Sequence, residues 1–136
     1  MQSTKVDAKK MELLKKVFAP LCHMIEVKHE DQIEKITALS WSWPAYFYYL
    51  TELIQQQAKK FWFTSEQAEM IAKYTYIGSA TLLETSWIPV TQLKKNVTSK
   101  WWTTEAALEM MKKKWMDKSV QAGIVAAYNR AKKLSK

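Results

Sequence analysis

The chain has 136 residues, of which 48% are hydrophobic and 25% are charged, a composition typical of a single globular domain with a modest core. No stretch approaches the roughly 20 apolar residues that a membrane-spanning helix needs, and the N-terminus lacks the apolar core of a signal peptide. The single cysteine, Cys22, excludes an internal disulfide and is typical of a reducing compartment. We therefore expect a cytoplasmic protein without a membrane segment.

The net charge of +8 would suit an anionic partner such as nucleic acid or a lipid surface. The basic residues are scattered, however, apart from residues 112–114 and a short group near the C-terminus. We interpret them as solvated helix faces and expect no nucleic-acid partner, although a basic helical nucleic-acid binder stays an alternative of a different class. His23 and His29 share no metal-binding spacing with Cys22, so we expect no metal site.

Hydrophobic periodicity predicts helices along almost the whole chain. In chain order they span residues 5–19, 33–39, 45–60, 65–84, 89–97, 103–113 and 118–134, and a short strand is predicted over residues 24–27. Thr64 and Gln67 have the spacing of a capping box, and Asp117 is the predicted cap of the last helix. Pro44 predicts an interruption at residues 40–44. The apolar face at residues 45–54 is broad enough to indicate burial on several sides, as in an intertwined bundle.

Two segments carry more specific motifs. Residues 37–46 read T-A-L-S-W-S-W-P-A-Y; residues 89–93 read P-V-T-Q-L and are followed, at residues 97–104, by V-T-S-K-W-W-T-T. Both resemble the pyrroline-5-carboxylate reductases, in which the motifs read T-A-L-S-G-S-G-P-A-Y and P-x-x-L with V-T-S-P-G-G-T-T. The closing helix is similar as well, so the resemblance covers essentially the whole chain.

Tryptophan stands where this family has glycine. The chain has 2 glycines and 7 tryptophans, and their sum matches the roughly 9–10 glycines that average usage predicts. Our hypothesis is that the gene uses the codon UGA, which some bacterial lineages read as glycine and a common alternative code reads as tryptophan. Deliberate replacement of glycine is the rival explanation. The seven positions are Trp41, Trp43, Trp62, Trp87, Trp101, Trp102 and Trp115.

The resemblance implies an all-α helical bundle that forms an intertwined homodimer, like the C-terminal domain of 6-phosphogluconate dehydrogenase. It also implies an oxidoreductase that reduces 1-pyrroline-5-carboxylate to proline with NADP or NAD as cofactor, in proline biosynthesis. In this family a Rossmann domain holds the cofactor, and the chain has no strand followed by a glycine-rich phosphate loop. A non-catalytic helical dimerisation module is the alternative function.

The same resemblance divides the chain into two parts. We expect residues 1–29 to be the remnant of the end of a cofactor domain, a helix plus a short strand. Residues 30–136 are then the dimerisation and substrate-binding domain. Because the cofactor domain is missing from this chain, we expect the fragment alone to be inactive.

The resemblance places the carboxylate of the small-molecule substrate at the loop and helix start over residues 99–104. Ser99, Thr103 and Thr104 would supply hydroxyl groups, and Thr104, near the imine nitrogen, is the candidate catalytic residue. Trp101 and Trp102 occupy the positions whose backbone would contact the substrate. A helix N-terminus suits an anion because its first N–H groups are unpaired and its dipole end is positive.

Ser40 and Ser42 are expected beside the nicotinamide end of the cofactor, where the family's glycines admit the ring. For the residues at the start of the 103–113 helix, a purely structural alternative is that their hydroxyl groups cap the helix. Two indoles at positions 101 and 102 are predicted to block the binding of a carboxylate, and a left-handed backbone there would be strained.

Overall fold

The computed structural model describes residues 7–135, and the described chain is entirely α-helical apart from one π-helical turn and the connecting loops. The all-α class predicted from the sequence is confirmed. The chain divides after Ile33 into two compact units; our predicted domain boundary after residue 29 stays a prediction. The helices are α1 (Ala8–Phe18), α2 (Asp31–Ile36), α3 (Trp43–Lys60), α4 (Ser65–Thr85), α5 (Val90–Asn96), α6 (Thr103–Lys113) and α7 (Met116–Leu134).

The first unit consists of α1 and an extended segment that follows it. The strand predicted over residues 24–27 is wrong, because within residues 7–33 this segment has no neighbouring strand with which to exchange hydrogen bonds. It is tied to α1 instead, since Lys15 Nζ donates to Glu26 Oε2 at 2.8 Å. That hydrogen bond and the charge of Lys15 lower the pKa of the Glu26 carboxyl.

A π-helical turn over Thr37–Trp41 separates α2 from α3. The Ser42 N–H group donates to the carbonyl of Thr37, five residues back, at 3.2 Å. Pro44 explains the wider turn, because proline has no N–H group and its ring clashes with the carbonyl four residues earlier, that of Ser40. The interruption predicted at residues 40–44 is therefore confirmed, and α3 begins with Pro44 in its first turn.

The helices α3 and α4 form a hairpin, joined by residues 61–64. The predicted capping box starts α4: Thr64 Oγ1 accepts from the Gln67 N–H group at 3.2 Å, and Gln67 Oε1 accepts from the Thr64 N–H group at 3.0 Å. The rings of Phe47 and Tyr76 join the two helices, with their centroids 5.6 Å apart.

The last helix, α7, packs against both the π-helical turn and α6. At its C-terminus Ser135 Oγ donates to Glu34 Oε1 at 3.0 Å. The predicted cap of α7, Asp117, is wrong: Trp115 is the N-cap residue, and Asp117 lies in the first turn. There its carboxylate is still favourable, because the N-terminal end of the helix dipole is positive.

Alanine is the only residue type that the described chain buries. Ala38 lies in the π-helical turn, Ala58 in α3, and Ala68 and Ala72 in α4. Small side chains let helix backbones approach closely, but they remove little apolar surface from water. Many large apolar side chains of the second unit are instead exposed; those on α3 and α4 include Phe47, Tyr49, Leu50, Leu53, Ile54, Ile71, Tyr74, Ile77, Leu82 and Leu83.

Candidate functional site

The loop between α5 and α6 contains most of the predicted site residues. The α5 end is fixed by Thr98, whose Oγ1 donates to the Lys94 carbonyl at 2.7 Å. The next four residues form a turn that is closed by a 3.3 Å hydrogen bond from the Trp102 N–H group to the Ser99 carbonyl. Trp101, the third residue of this turn, has a φ of 68°. The turn delivers the chain directly to the first residue of α6.

The predicted substrate-binding residues surround the N-terminus of α6. Trp102 is the N-cap residue, with φ −103° and ψ 169°, and its side chain makes no capping hydrogen bond. Thr103 and Thr104 are the first two residues of the helix; Thr103 is exposed and Thr104 is half-buried. The first N–H groups of any α-helix have no intrahelical acceptor, so this end of α6 presents donors to the space beside the loop.

Glu105 is a member of this site that the sequence motifs did not select. Its carboxylate Oε2 accepts from the Trp101 N–H group at 2.7 Å, a distance typical of a charge-assisted hydrogen bond. Glu105 is the third residue of α6, where a carboxylate commonly reaches back to the start of the helix, and this position is the signal that would have identified it. Lys100, Glu105 and Glu109 line a shallow groove beside the two indoles.

Ser40 and Ser42 lie in and just after the π-helical turn. Ser40 is exposed, whereas Ser42 is half-buried and its Oγ donates to the Thr37 carbonyl at 3.4 Å. The neighbouring Trp43 packs edge-on to Tyr46, with the ring centroids 5.2 Å apart. The hydroxyl hydrogen of Ser42 is therefore used within the turn, and its oxygen stays available as an acceptor.

The two groups of predicted residues belong to different segments of the second unit. Within residues 7–135, no hydrogen bond joins Ser40 or Ser42 to the loop at residues 99–104. The element that they share is α7, which packs against the π-helical turn and against α6. An open, almost wholly apolar groove also follows α7, lined by Tyr46, Leu50 and Val120 among others.

Over residues 7–135, no three His, Cys, Asp or Glu side chains are grouped so that they could hold a metal ion. None of the helices described has both the length and the apolar character required to cross a bilayer.

Comparison with known proteins identifies the family. A family model described as pyrroline-5-carboxylate reductase dimerisation matches residues 30–134. The chain belongs to this family. Among curated relatives, the pyrroline-5-carboxylate reductase of Staphylococcus aureus (strain COL) is 31% identical over 109 residues, which are 80% of this chain and 40% of that protein. The protein of the same name from Pasteurella multocida is 32% identical over 111 residues, which are 81% of this chain and 40% of that protein.

Solved structures of pyrroline-5-carboxylate reductases share the fold. The structure of the Coxiella burnetii enzyme is 36% identical, with a TM-score of 0.90 over 98% of this chain and 50% of that one. A Plasmodium falciparum pyrroline carboxylate reductase, solved with NADP bound, is 25% identical, with a TM-score of 0.82 over 98% of this chain and 51% of that one. The chain thus spans about half the length of these relatives, or less.

Proposed function

We propose that this chain is the dimerising and substrate-binding half of a pyrroline-5-carboxylate reductase, which reduces 1-pyrroline-5-carboxylate to proline in proline biosynthesis. The observation that carries the proposal is the start of α6. There a family motif coincides with a turn, a helix N-terminus and two threonine hydroxyl groups. The roles of single residues given below are part of this proposal.

Homodimer formation is supported by the large accessible surface of the chain, to which exposed apolar side chains of α3 and α4 contribute. The chain exposes 12679 Å² of accessible surface. A compact protein of this mass exposes about 7,400 Å², and even two separately compact units would expose only about 8,600 Å². The excess of roughly 4,000 Å² is larger than the surface area that one subunit buries in most obligate dimers. The family model that matches this chain is named for dimerisation. We therefore assign the apolar face of α3 and α4 to the same helices of a second copy.

Substrate recognition in this proposal begins with the carboxylate of 1-pyrroline-5-carboxylate at the N-terminus of α6. The free N–H groups and the positive end of the helix dipole stabilise the anion. Ser99 and Thr103 add hydroxyl donors, and Thr104, the half-buried member of the group, holds the ring nitrogen by a hydrogen bond. Glu105 already accepts the N–H group at position 101, so the substrate's carboxylate competes with it for this donor.

The cofactor would be bound mainly outside this chain. NADP or NAD supplies the hydride when bound, and its phosphates need a glycine-rich loop that the described residues do not provide. Ser40 and Ser42 fit the nicotinamide end, because Ser40 is exposed and the Ser42 oxygen can still accept a hydrogen bond. Their contribution is to position the carboxamide and the ring of the nicotinamide.

The test joins this chain to the cofactor domain of a relative, such as the Coxiella enzyme, with glycine at the seven tryptophan positions. We expect oxidation of NADPH or NADH that depends on 1-pyrroline-5-carboxylate. Thr104→Val should lower kcat by about a hundredfold, and Ser99→Ala should raise KM by about tenfold, because it removes a hydrogen bond to a charged group.

Thr98→Val is the matched control, since the Thr98 hydroxyl donates to the Lys94 carbonyl and lies outside the proposed contacts. It should leave kcat and KM within about twofold of the parent fusion. Equal losses in the Thr98 and Thr104 variants would show that the loop is only structural. Absence of turnover in a folded, dimeric fusion would contradict the proposed activity.

A further inference from the structure

Three residues of the described chain other than glycine have a positive φ, and all three are tryptophan. They are Trp62 at 70°, Trp101 at 68° and Trp115 at 62°. The left-handed region is strained for a residue with a Cβ, and it is especially rare for a bulky side chain. The two glycines, Gly78 and Gly123, lie inside α4 and α7 without a positive φ. In the described chain, none of the positions with a left-handed backbone is occupied by glycine.

Trp62 occupies the glycine position of a Schellman motif. At the end of α3, the Phe63 N–H group donates to the Ala58 carbonyl at 3.2 Å, and the Trp62 N–H group donates to the Lys59 carbonyl at 3.1 Å. These are the two hydrogen bonds that define the motif, and its left-handed residue is usually glycine. The Trp62 side chain is 95% exposed, so its indole gains no packing that would offset the strain.

Trp101 occupies the glycine position of a tight turn. The Trp102 N–H group donates to the Ser99 carbonyl, and the positive φ falls on the third of the four residues. This is the arrangement of a type II turn, which requires a left-handed third residue and therefore favours glycine. The Trp101 side chain is 94% exposed.

Trp115 joins α6 to α7 and is the third tryptophan with a positive φ. Its N–H group donates to the Lys112 carbonyl at 3.0 Å, so it ends α6 in a left-handed conformation, and it is also the N-cap residue of α7. Its indole contacts Lys118 Nζ, which lies 3.8 Å from the ring centroid. The left-handed residue at the C-terminal end of a helix is most often glycine.

The other tryptophans are also poorly accommodated. Trp87 is fully exposed, at 101%, and Trp41 and Trp102 are exposed as well. Trp43 packs against other rings, yet its buried Nε1–H group has no hydrogen-bond partner among residues 7–135. Tryptophan is normally among the more buried residues, and its indole N–H usually finds an acceptor when buried.

We infer that the cell which makes this protein inserts glycine at positions 62, 101 and 115, and at the other four tryptophan positions of the family motifs and turns. The backbone geometry carries the inference for the first three positions, and the family's glycine pattern extends it to Trp41, Trp43, Trp87 and Trp102. The inference does not rest on the proposed catalytic activity. It requires that the seven codons be UGA and that the source organism read UGA as glycine.

The direct test is the gene together with the protein from its own source. All seven codons should be UGA, and mass spectrometry of peptides that cover positions 62, 101 and 115 should find glycine. UGG codons, or tryptophan in these peptides, would overturn the inference. If tryptophan had been introduced deliberately, a recombinant gene would have UGG codons at these positions and the natural gene would have glycine codons.

A second test uses the chain with tryptophan at all seven positions. The triple variant Trp62→Gly, Trp101→Gly, Trp115→Gly is compared with the matched triple variant Trp41→Gly, Trp87→Gly, Trp102→Gly, which removes the same number of indoles from positions where φ is not positive. We expect the first to raise the folding equilibrium constant at least about tenfold, since left-handed strain is relieved three times and this outweighs the freedom that glycine gains in the unfolded chain. The second should lower it, by up to about tenfold, because glycine gains more freedom in the unfolded chain.

The result that contradicts this reasoning is an equal shift in both triple variants, or a loss of stability in the first. If the parent chain does not fold, the comparison starts from the chain with glycine at all seven positions. Returning tryptophan to positions 62, 101 and 115 should then cost more stability than returning it to positions 41, 87 and 102. The reverse order, or no difference, would refute the inference.

Discussion

Leu53 offers a sharp test of the proposed dimer. It lies on α3, is 40% exposed in the single chain, and lines the apolar groove along α7. Full burial of a leucine side chain contributes about 1.5–3 kcal/mol, so covering the exposed 40% gives about 0.6–1.2 kcal/mol per chain. A two-fold dimer counts this contact twice, which makes about 1.2–2.4 kcal/mol for the pair of chains.

Two variants separate the apolar contribution from the effect of charge. Leu53→Ala removes most of the apolar contact and should raise the dimer dissociation constant by about tenfold or somewhat more. Leu53→Asp also places two carboxylates in a desolvated interface, which costs several kcal/mol per ion unless water enters. We therefore expect its dissociation constant to rise at least about a hundredfold.

Sedimentation over a concentration series measures the dissociation constant, and circular dichroism at concentrations where each chain is dimeric checks that the helices form. Leu21→Asp is the matched control, because Leu21 is also an exposed leucine but lies in the first unit, outside α3 and α4. It should dimerise like the parent chain. A Leu53→Asp chain with the parent's dissociation constant would show that this face of α3 is not the dimer interface.

Two further predictions concern carboxylates. In the fusion with glycine at the seven positions, Glu105→Ala should tighten L-proline binding by about tenfold, since the loop N–H group loses its charged acceptor. Glu109→Ala is the control, because it removes a carboxylate from the same groove and should leave the affinity for L-proline unchanged. Calorimetry measures both affinities, and an equal change in the two variants would contradict the prediction. The pKa of Glu26 lies below its ordinary range because of Lys15, so the pair stabilises the fold above the carboxyl's unfolded pKa, and this contribution is lost as pH falls through the folded value. Lys15→Gln should return the Glu26 pKa towards normal in an NMR titration, whereas Lys16→Gln, which breaks the pair with Glu12, should not change it.

Local signals in the sequence were sufficient to predict most of the helices. Thr64 and Gln67 identify the start of α4 because a capping box needs only two residues three positions apart in the chain. Pro44 marks the π-helical turn for a similar reason, since its missing N–H group acts within one turn. The helix predicted over residues 103–113 agrees with α6 at both ends.

The errors occurred where structure depends on residues distant in sequence or on backbone conformation. The segment 24–27 has strand-like residues, but a strand needs a neighbour, and residues 7–33 provide none. Asp117 has the residue type of an N-cap, yet the left-handed Trp115 starts α7. The family motif ends at Thr104 and so does not identify Glu105, although the Glu105 carboxylate accepts a hydrogen bond from the Trp101 N–H group of the same loop.

The burial of alanine alone has a consequence for how this protein folds. A chain whose buried residues, over positions 7–135, are four alanines gains little hydrophobic free energy by itself. In the proposed dimer, most of that gain comes from surface that the second copy covers, so folding and association become one reaction. The thermal midpoint should then rise with protein concentration, and the refolding rate should be second order in chains. Newly made copies would depend on meeting one another quickly, which favours assembly close to the site of synthesis.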